Sequence, residues 1–289
     1  MAGLIVVGVD GSEPAMAAVE WAAEDAVRSD AALKIVHVHD VWAGAAPLPK
    51  VGGVGGSVTE HVREVLAAAT HRARDRAPGI EISTDLVAGT VVEGLKSASE
   101  EAGTLVIGSR GVGGFAGLVL GSVGLGLAGH AAGPVVIVRA PVRTVHGVIV
   151  VGFDGSEHSE AALAYAFTQA RRRGARLRAV YAWQMPMLSA YALGYSPVVE
   201  GLFEDEAHTA RQRLAPWREK YPEVEVEEST VCDHPVPVLS DASRQADLVV
   251  VGSHGRGGFS SAVLGSVSHG VLHRAHCPVA VVRPGKEER

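Results

Sequence analysis

The chain has 289 residues, close to twice a typical domain of about 150, so two domains are the first expectation. Apolar residues make up 47% and charged residues 20%, which describes a packed core and excludes a disordered chain. A net charge of −6 with 5% aromatics excludes a dedicated nucleic-acid binder, which needs a basic surface and stacking rings.

The first ten residues, Met1 to Asp10, lack a basic stretch and meet an acid too early for a signal peptide. Residues 4–9 read as a β-branched strand, and Asp10-Gly11-Ser12 follows with Ser12 placed to cap a helix over 13–28. Strand 33–38 leads into a Gly/Pro-rich loop over 43–57, then helix 58–76 and strand 80–87. Helix 91–102 and strand 105–107 come next. Residues 111–138 hold no Asp, Glu, Lys or Arg, long enough to span a bilayer, and Gly113, Gly117 and Gly121 have the spacing of a membrane dimer motif. A fourth helix starts at Ser122, strand 135–138 closes the set, and residues 140–144 form a short linker. Alternating strands and helices with continuous apolar strands predict an α/β fold, a parallel sheet covered by helices on both faces.

The same pattern then returns at a fixed offset of 144 residues. Asp10-Gly11-Ser12-Glu13 faces Asp154-Gly155-Ser156-Glu157, and Gly108-Ser109-Arg110-Gly111 faces Gly252-Ser253-His254-Gly255. Gly113-Gly114-Phe115 faces Gly257-Gly258-Phe259, and Gly121-Ser122-Val123 faces Gly265-Ser266-Val267. This is a tandem duplication of a whole domain, with domains predicted at 1–140 and 146–285. Residues 190–199 read as the counterpart of the long loop. The second copy of the uncharged stretch carries Arg256, His269, His273, Arg274 and His276, so neither copy is read as membrane-embedded. The two cysteines, Cys232 and Cys277, suit a reducing cytoplasm.

In a doubly wound sheet, ligands bind beyond the carboxyl ends of the strands where the strand order reverses. Asp10 and Gly108 both fall at such ends. From Gly108, and again from Gly252, the chain reads Gly-x2-Gly-x9-Gly-Ser, with the last Ser opening a helix. Backbone N–H groups, the Ser hydroxyl and the helix dipole there suit phosphates, and glycines allow close approach and positive φ. Asp10 is an acceptor suited to a ribose hydroxyl or a metal riding on phosphates; the alternative is a helix cap.

These motifs, intact in both copies and covering nearly the whole chain, resemble the universal stress protein family in its tandem form. The resemblance implies two Rossmann-like domains of the HUP type, each a five-stranded parallel sheet of order 3-2-1-4-5, binding ATP with or without Mg2+. It implies Asp10 and Asp154 as ribose-side acids behind Gly8 and Gly152, and Val38 and Ala182 as adenine contacts through backbone atoms. The loop residues Gly108, Ser109, Arg110, Gly111, Gly113, Gly114, Gly121, Ser122 and Val123 would hold ribose and phosphates. Gly252, Ser253, His254, Gly255, Gly257, Gly258, Gly265, Ser266 and Val267 would do so in the second copy. It also implies that residues 135–138 and 279–282 are edge strands, through which the two halves would pair with each other or with another chain, with a homodimer of tandem chains as the further assembly.

Other patterns are weighed down by the repeat. Gly124, Gly126 and Gly129 spell GxGxxG, yet no strand directly precedes them and the second copy lacks the pattern. These glycines are expected to weaken the first copy's fourth helix by about 1 kcal/mol against Ser268, Gly270 and His273, making the first site roughly fivefold weaker. His37 and His39 face Tyr181 and Trp183 in the repeat and read as pocket walls. His269, His273, His276 and Cys277 have no first-copy equivalents and read as a solvated helix face over a zinc site. The leading function is a cytoplasmic, non-enzymatic nucleotide sensor acting through a protein partner. The alternatives are an adenylate-transferring or slowly hydrolysing enzyme, for which no P-loop or His-x-Gly-His pair is present, and a dimerisation module with vestigial sites.

Overall fold

The computed structural model describes residues 3–39, 58–112, 120–142, 144–185, 196–256 and 264–285. The chain divides into two compact units, Met1–Arg143 and Thr144–Arg289. Gly113, Gly114, Gly117, Gly257, Gly258 and residues 43–57 lie outside the described residues, as does 190–195 of the second long loop.

The first unit runs β1 (Gly3–Gly8), α1 (Glu13–Ser29), β2 (Ala31–His39), α2 (Val58–Arg76), β3 (Ile82–Ala88), α3 (Val91–Ala98), β4 (Thr104–Gly108), α4 (Ser122–His130) and β5 (Val135–Val138). Its strands are all parallel, in the order β3-β2-β1-β4-β5. The second unit repeats this with β6 (Val148–Gly152), α5 (Glu157–Arg173), β7 (Arg176–Trp183), α6 (Ser196–Lys220), β8 (Val226–Cys232), α7 (Pro235–Ala242), β9 (Leu248–Gly252), α8 (Ser266–Arg274) and β10 (Val279–Val282). Its order is β8-β7-β6-β9-β10, again parallel.

The central strands are apolar on both faces because helices cover both faces. Leu33, Ile35, Leu105 and Ile137 are fully buried in the first unit, and Ile149, Leu177, Leu248 and Phe167 in the second. Ser12 caps α1 by accepting from Ala15 N at 3.3 Å, and Ser156 caps α5 by accepting from Ser159 N at 3.2 Å. The inner face of α1 is built from Ala15, Ala18, Ala22 and Ala26, all buried, which lets the helix lie close to the sheet.

Three element limits differ from the sequence reading. Helix α3 stops at Ala98, not 102, because the Ser99 hydroxyl turns back to donate to the Lys96 carbonyl at 2.7 Å. Strand β3 starts at Ile82, not 80, since the preceding turn runs through Gly79 at φ +101°. Residues 196–199 belong to α6 and not to a loop. Among the described residues no helix is long and apolar enough to cross a membrane.

The second unit has one anchor that the first lacks. Asp247, 8% exposed, accepts from His146 N at 2.7 Å, Gly147 N at 2.8 Å and Val148 N at 3.3 Å. Gly103 holds the corresponding position in the first unit.

Candidate functional site

In each unit the chain steps from its first strand to the second on one side and reaches the fourth on the other. The carboxyl ends of β1 and β4, and of β6 and β9, therefore flank the point where strand order reverses. Beyond β1 the chain turns sharply at Gly11, φ +89°, and beyond β6 at Gly155, φ +79°. Between strand and turn stands the acid. Asp10 accepts from Ser12 N at 3.0 Å through Oδ1 and from Val112 N at 2.8 Å through Oδ2. Asp154 does the same with Ser156 N and Arg256 N, both at 2.9 Å.

The acid thus ties the first loop to the glycine loop, and it is Ser12, not Asp10, that caps α1. Burial raises the proton affinity of Asp154, but hydrogen bonds from Ser156, Arg256 and Ser159 outweigh it and hold the carboxyl below its ordinary range. With each oxygen already shared with an N–H, this carboxylate fits a hydroxyl partner better than a metal ion.

The glycines serve close approach and not positive φ. Among the described residues none of Gly108, Gly111, Gly121, Gly252, Gly255 and Gly265 has positive φ. A Cβ on Gly108 would stand 2.7 Å from Pro14 C and Ala15 N, and one on Gly252 2.8 Å from His158 C, so these glycines let α1 and α5 press onto the sheet. A Cβ on Gly8 or Gly152 would meet Leu95 at 2.9 Å or Leu239 at 2.8 Å. A Cβ on Gly111 would collide with Asp10 Oδ2, and one on Gly255 would lie 2.6 Å from Asp154 Oδ2. The ends of the nine-residue insert are drawn together by Gly121 N donating to Ser109 O and Gly265 N donating to Ser253 O, each at 2.8 Å.

Helices α4 and α8 then begin at Ser122 and Ser266, entered through Gly121 and Gly265 with no side-chain cap. Among the described residues no side chain caps their first-turn N–H groups, and the positive end of the helix dipole lies behind them. In the second unit this helix start borders a cavity of about 810 Å³. The cavity gathers Gly152, Asp154, Ala182, Gly252, His254, Gly255, Gly265, Ser266 and Val267 on one wall or another. Ser253 is fully buried beneath it. In the first unit Gly8, Asp10, Val38, Gly108, Arg110, Gly111, Gly121, Ser122 and Val123 occupy the same positions on the repeat, and Ser109 is likewise buried.

Strand register adds a polar edge. Val180 O accepts from Phe153 N at 3.1 Å, and Val36 O from Val9 N at 2.9 Å. Two residues on, the N–H and C=O of Ala182 and Val38 point the same way but past the end of β6 and β1.

Several cavity residues carry no motif and were missed from sequence. Pro235 and Leu239 supply an apolar wall from α7, and Phe153, Gln184, Arg256 and His269 complete it. The 144-residue offset pairs Arg256 with Val112 and His158 with Pro14, so a position-by-position comparison would have found both. In the second unit the Ser253 hydroxyl lies 2.9 Å from His158 Nδ1 and 3.2 Å from His254 Nδ1. Arg213 of α6 lies against the Gly155 turn, where a Cβ would collide with its guanidinium, and its buried Nε has no hydrogen-bond partner among the described residues.

The remaining motifs find structural roles. Gly124, Gly126 and Gly129 lie inside α4, which at nine residues is as long as α8, so they do not shorten the helix. Gly124 and Gly126 admit Leu120 and Val92 to within 2.9 and 3.4 Å of the Cβ position. His37 lies with Nδ1 2.9 Å from the Val9 carbonyl, fastening the end of β1. The His269 and His273 rings stand 4.7 Å apart, and no group of three metal-ligating side chains occurs among the described residues.

Two doubly wound units, each with a strand-end acid clasping a glycine loop that leads into a helix, define a tandem α/β protein. The universal stress protein family matches residues 1–139 and 147–283, and the chain belongs to that family. It is 38% identical over 307 residues to Universal stress protein Rv1996 of Mycobacterium tuberculosis, spanning 96% of this chain and 94% of that protein. It is 39% identical over 290 residues to Universal stress protein Rv2005c of the same organism, spanning 96% of each. The crystal structure of a universal stress protein from Archaeoglobus fulgidus DSM 4304 shares the fold, with a TM-score of 0.69 at 20% identity over 99% of this chain and 97% of that one.

Proposed function

We propose that each unit, residues 1–140 and 146–285, binds one ATP, and that the chain acts as a cytoplasmic nucleotide-responsive regulator in a stress response without chemical turnover. The observation that carries this reading is the cavity of about 810 Å³ at the strand-order reversal of the second unit, bordered by the uncapped start of α8. It falls within the range of small-ligand sites, about 300–1,000 Å³.

Its parts divide by chemistry. The backbone edge at Ala182 and the apolar wall of Val180, Pro235 and Leu239 suit a flat heterocycle. Asp154 suits a ribose hydroxyl, and the N–H groups after Gly265 with the Ser266 hydroxyl suit phosphates. The first unit offers Val38, Asp10 and the N–H groups after Gly121 in the same roles. Mg2+, where present, is assigned to the phosphates and not to Asp10 or Asp154. Pairing of the edge strands β5 and β10, with each other or with those of a second chain, belongs to the same proposal.

Mass spectrometry of the native and the denatured protein tests the reading. Two nucleotides per chain, released intact as ATP on denaturation, are expected. Calorimetry showing no heat with ATP and magnesium at either unit refutes it.

A further inference from the structure

The second site contains a group of titratable side chains that the first cannot form. His158 occupies the second position of α5, where the first unit has Pro14, and His254 follows β9 where the first unit has Arg110. Their rings lie 5.1 Å apart and tilted by 58°, with the Ser253 hydroxyl between the two Nδ1 atoms. Ser253 is fully buried, and its carbonyl accepts from Gly265 N and the Ser268 hydroxyl at 2.8 and 2.9 Å. The bridge is thereby fixed to the turn that opens α8.

One hydroxyl carries one proton. It can donate to only one imidazole and must accept from the other, so the neutral pair has one ring protonated at Nδ1 and its neighbour at Nε2. An added proton can enter at the second Nδ1 once the hydroxyl rotates its own proton off that nitrogen, which leaves the oxygen's two lone pairs to accept from both rings. A further charge would then face its like at about ring-contact distance, so the pair has room for one added proton and opposes a second. His254 lines the cavity, which places this proton store beside the phosphate end of the site.

We propose that the bridged His158–Ser253–His254 group couples phosphate binding at the second site to uptake of a proton, and that the first site binds without this coupling. The inference rests on the nucleotide reading above. In the free protein the proton affinity of His158 is lowered: burial lowers it first, His254 and Arg283 lower it further, and Glu157 and Asp154 oppose them. Among the described residues this end of the cavity is also lined by Arg256, whose backbone N–H is held by Asp154, and by His269. A phosphate dianion entering the cavity raises the proton affinity of the pair. Affinity at the second site therefore falls by up to about tenfold per pH unit as pH rises between the free and the ligand-bound titration of the pair, and is level outside that window. Pro14 and Arg110 cannot form this bridge, so the first site lacks this contribution; the imidazole nearest its acid is His37, on the far side of the strand end with Nδ1 2.9 Å from the Val9 carbonyl.

The test is histidine NMR titration of the full chain from pH 5 to 8, with and without saturating magnesium ATP, alongside calorimetry in two buffers of different ionisation enthalpy. Expected are an upward shift of the His158 and His254 titration by about one pH unit or more on binding, and net proton uptake at pH 7. The double variant His158→Pro with His254→Arg installs the first unit's residues, with Pro at a helix position that tolerates it. In this variant the uptake should vanish while the contribution of ATP itself remains. Binding with unchanged histidine titration in the wild-type chain overturns the inference and leaves the nucleotide reading intact. No ATP binding at any pH removes the nucleotide reading, and this inference with it. The wild-type titration decides the matter even where the variant fails to fold.

Discussion

Substituting Asp154 by Asn tests whether the strand-end acid is a structural clasp. The carboxylate accepts two backbone N–H bonds at 2.9 Å, from Ser156 and Arg256. Asn retains one acceptor but without charge, and turns an N–H donor toward the other N–H. A bond to a charged acceptor contributes about 1.5–3 kcal/mol and a neutral one about 0.5–1.5 kcal/mol, so the change weakens one bond by about 1 kcal/mol and removes the other. Water reaches the Arg256 side, which is exposed, and returns part of the loss. The expected cost is about 2 kcal/mol, read as a fall of roughly 4–8 °C in the melting of the second unit. The sign with pH follows from the lowered proton affinity of Asp154. Its contribution is complete above the unfolded aspartate range near about 4 and is lost as pH falls through the folded value. The gap between wild type and variant should therefore close in acid. A gap below about 0.5 kcal/mol at pH 7, or one equally wide at pH 2, would refute the clasp.

Three further outcomes are expected. Gly108→Ala puts a methyl 2.7 Å from the backbone of Pro14 and Ala15 and should cost about 1–3 kcal/mol in thermal or urea unfolding, whereas Gly121→Ala, whose Cβ would sit 3.6 Å from Ser109 O, should cost well under half as much. Gly111→Arg with Gly255→Arg should abolish ATP binding in calorimetry while far-UV circular dichroism stays native, because each side chain would displace the aspartate that holds its loop. Of the single variants, Gly111→Arg should retain the tighter site and Gly255→Arg the weaker by roughly fivefold; equal affinities would remove the asymmetry.

The duplication was legible because its signals are local and occur twice. Asp-Gly-Ser after an apolar strand, Gly-Ser ahead of a helix and a constant offset of 144 residues need no three-dimensional knowledge. What the loop glycines do was not legible. Their roles depend on Pro14, Leu95 and Asp10, remote in sequence, and the one positive φ nearby belongs to Gly11, in a motif read for its acid. Asp10 illustrates the same limit: its type and position suggested an acceptor, but its partner Val112 is 102 residues away. The His158–Ser253–His254 group has no first-copy counterpart, so a search for matching residues passes over it. The end of α3 was misplaced because a serine bond to its own helix overrides favourable propensity at Glu100 to Ala102.

The Asp247 anchor decides where the chain can be cut. A second unit released at Thr144 keeps all three N–H groups that Asp247 holds, whereas one starting at Val148 loses two of them and leaves a buried carboxylate short of partners. No side chain at the matching place in the first unit imposes such a limit, since Gly103 stands there. The few residues between the duplicated domains are thus unequal in value: those before His146 are spacer, and those from His146 onward are already part of the second fold.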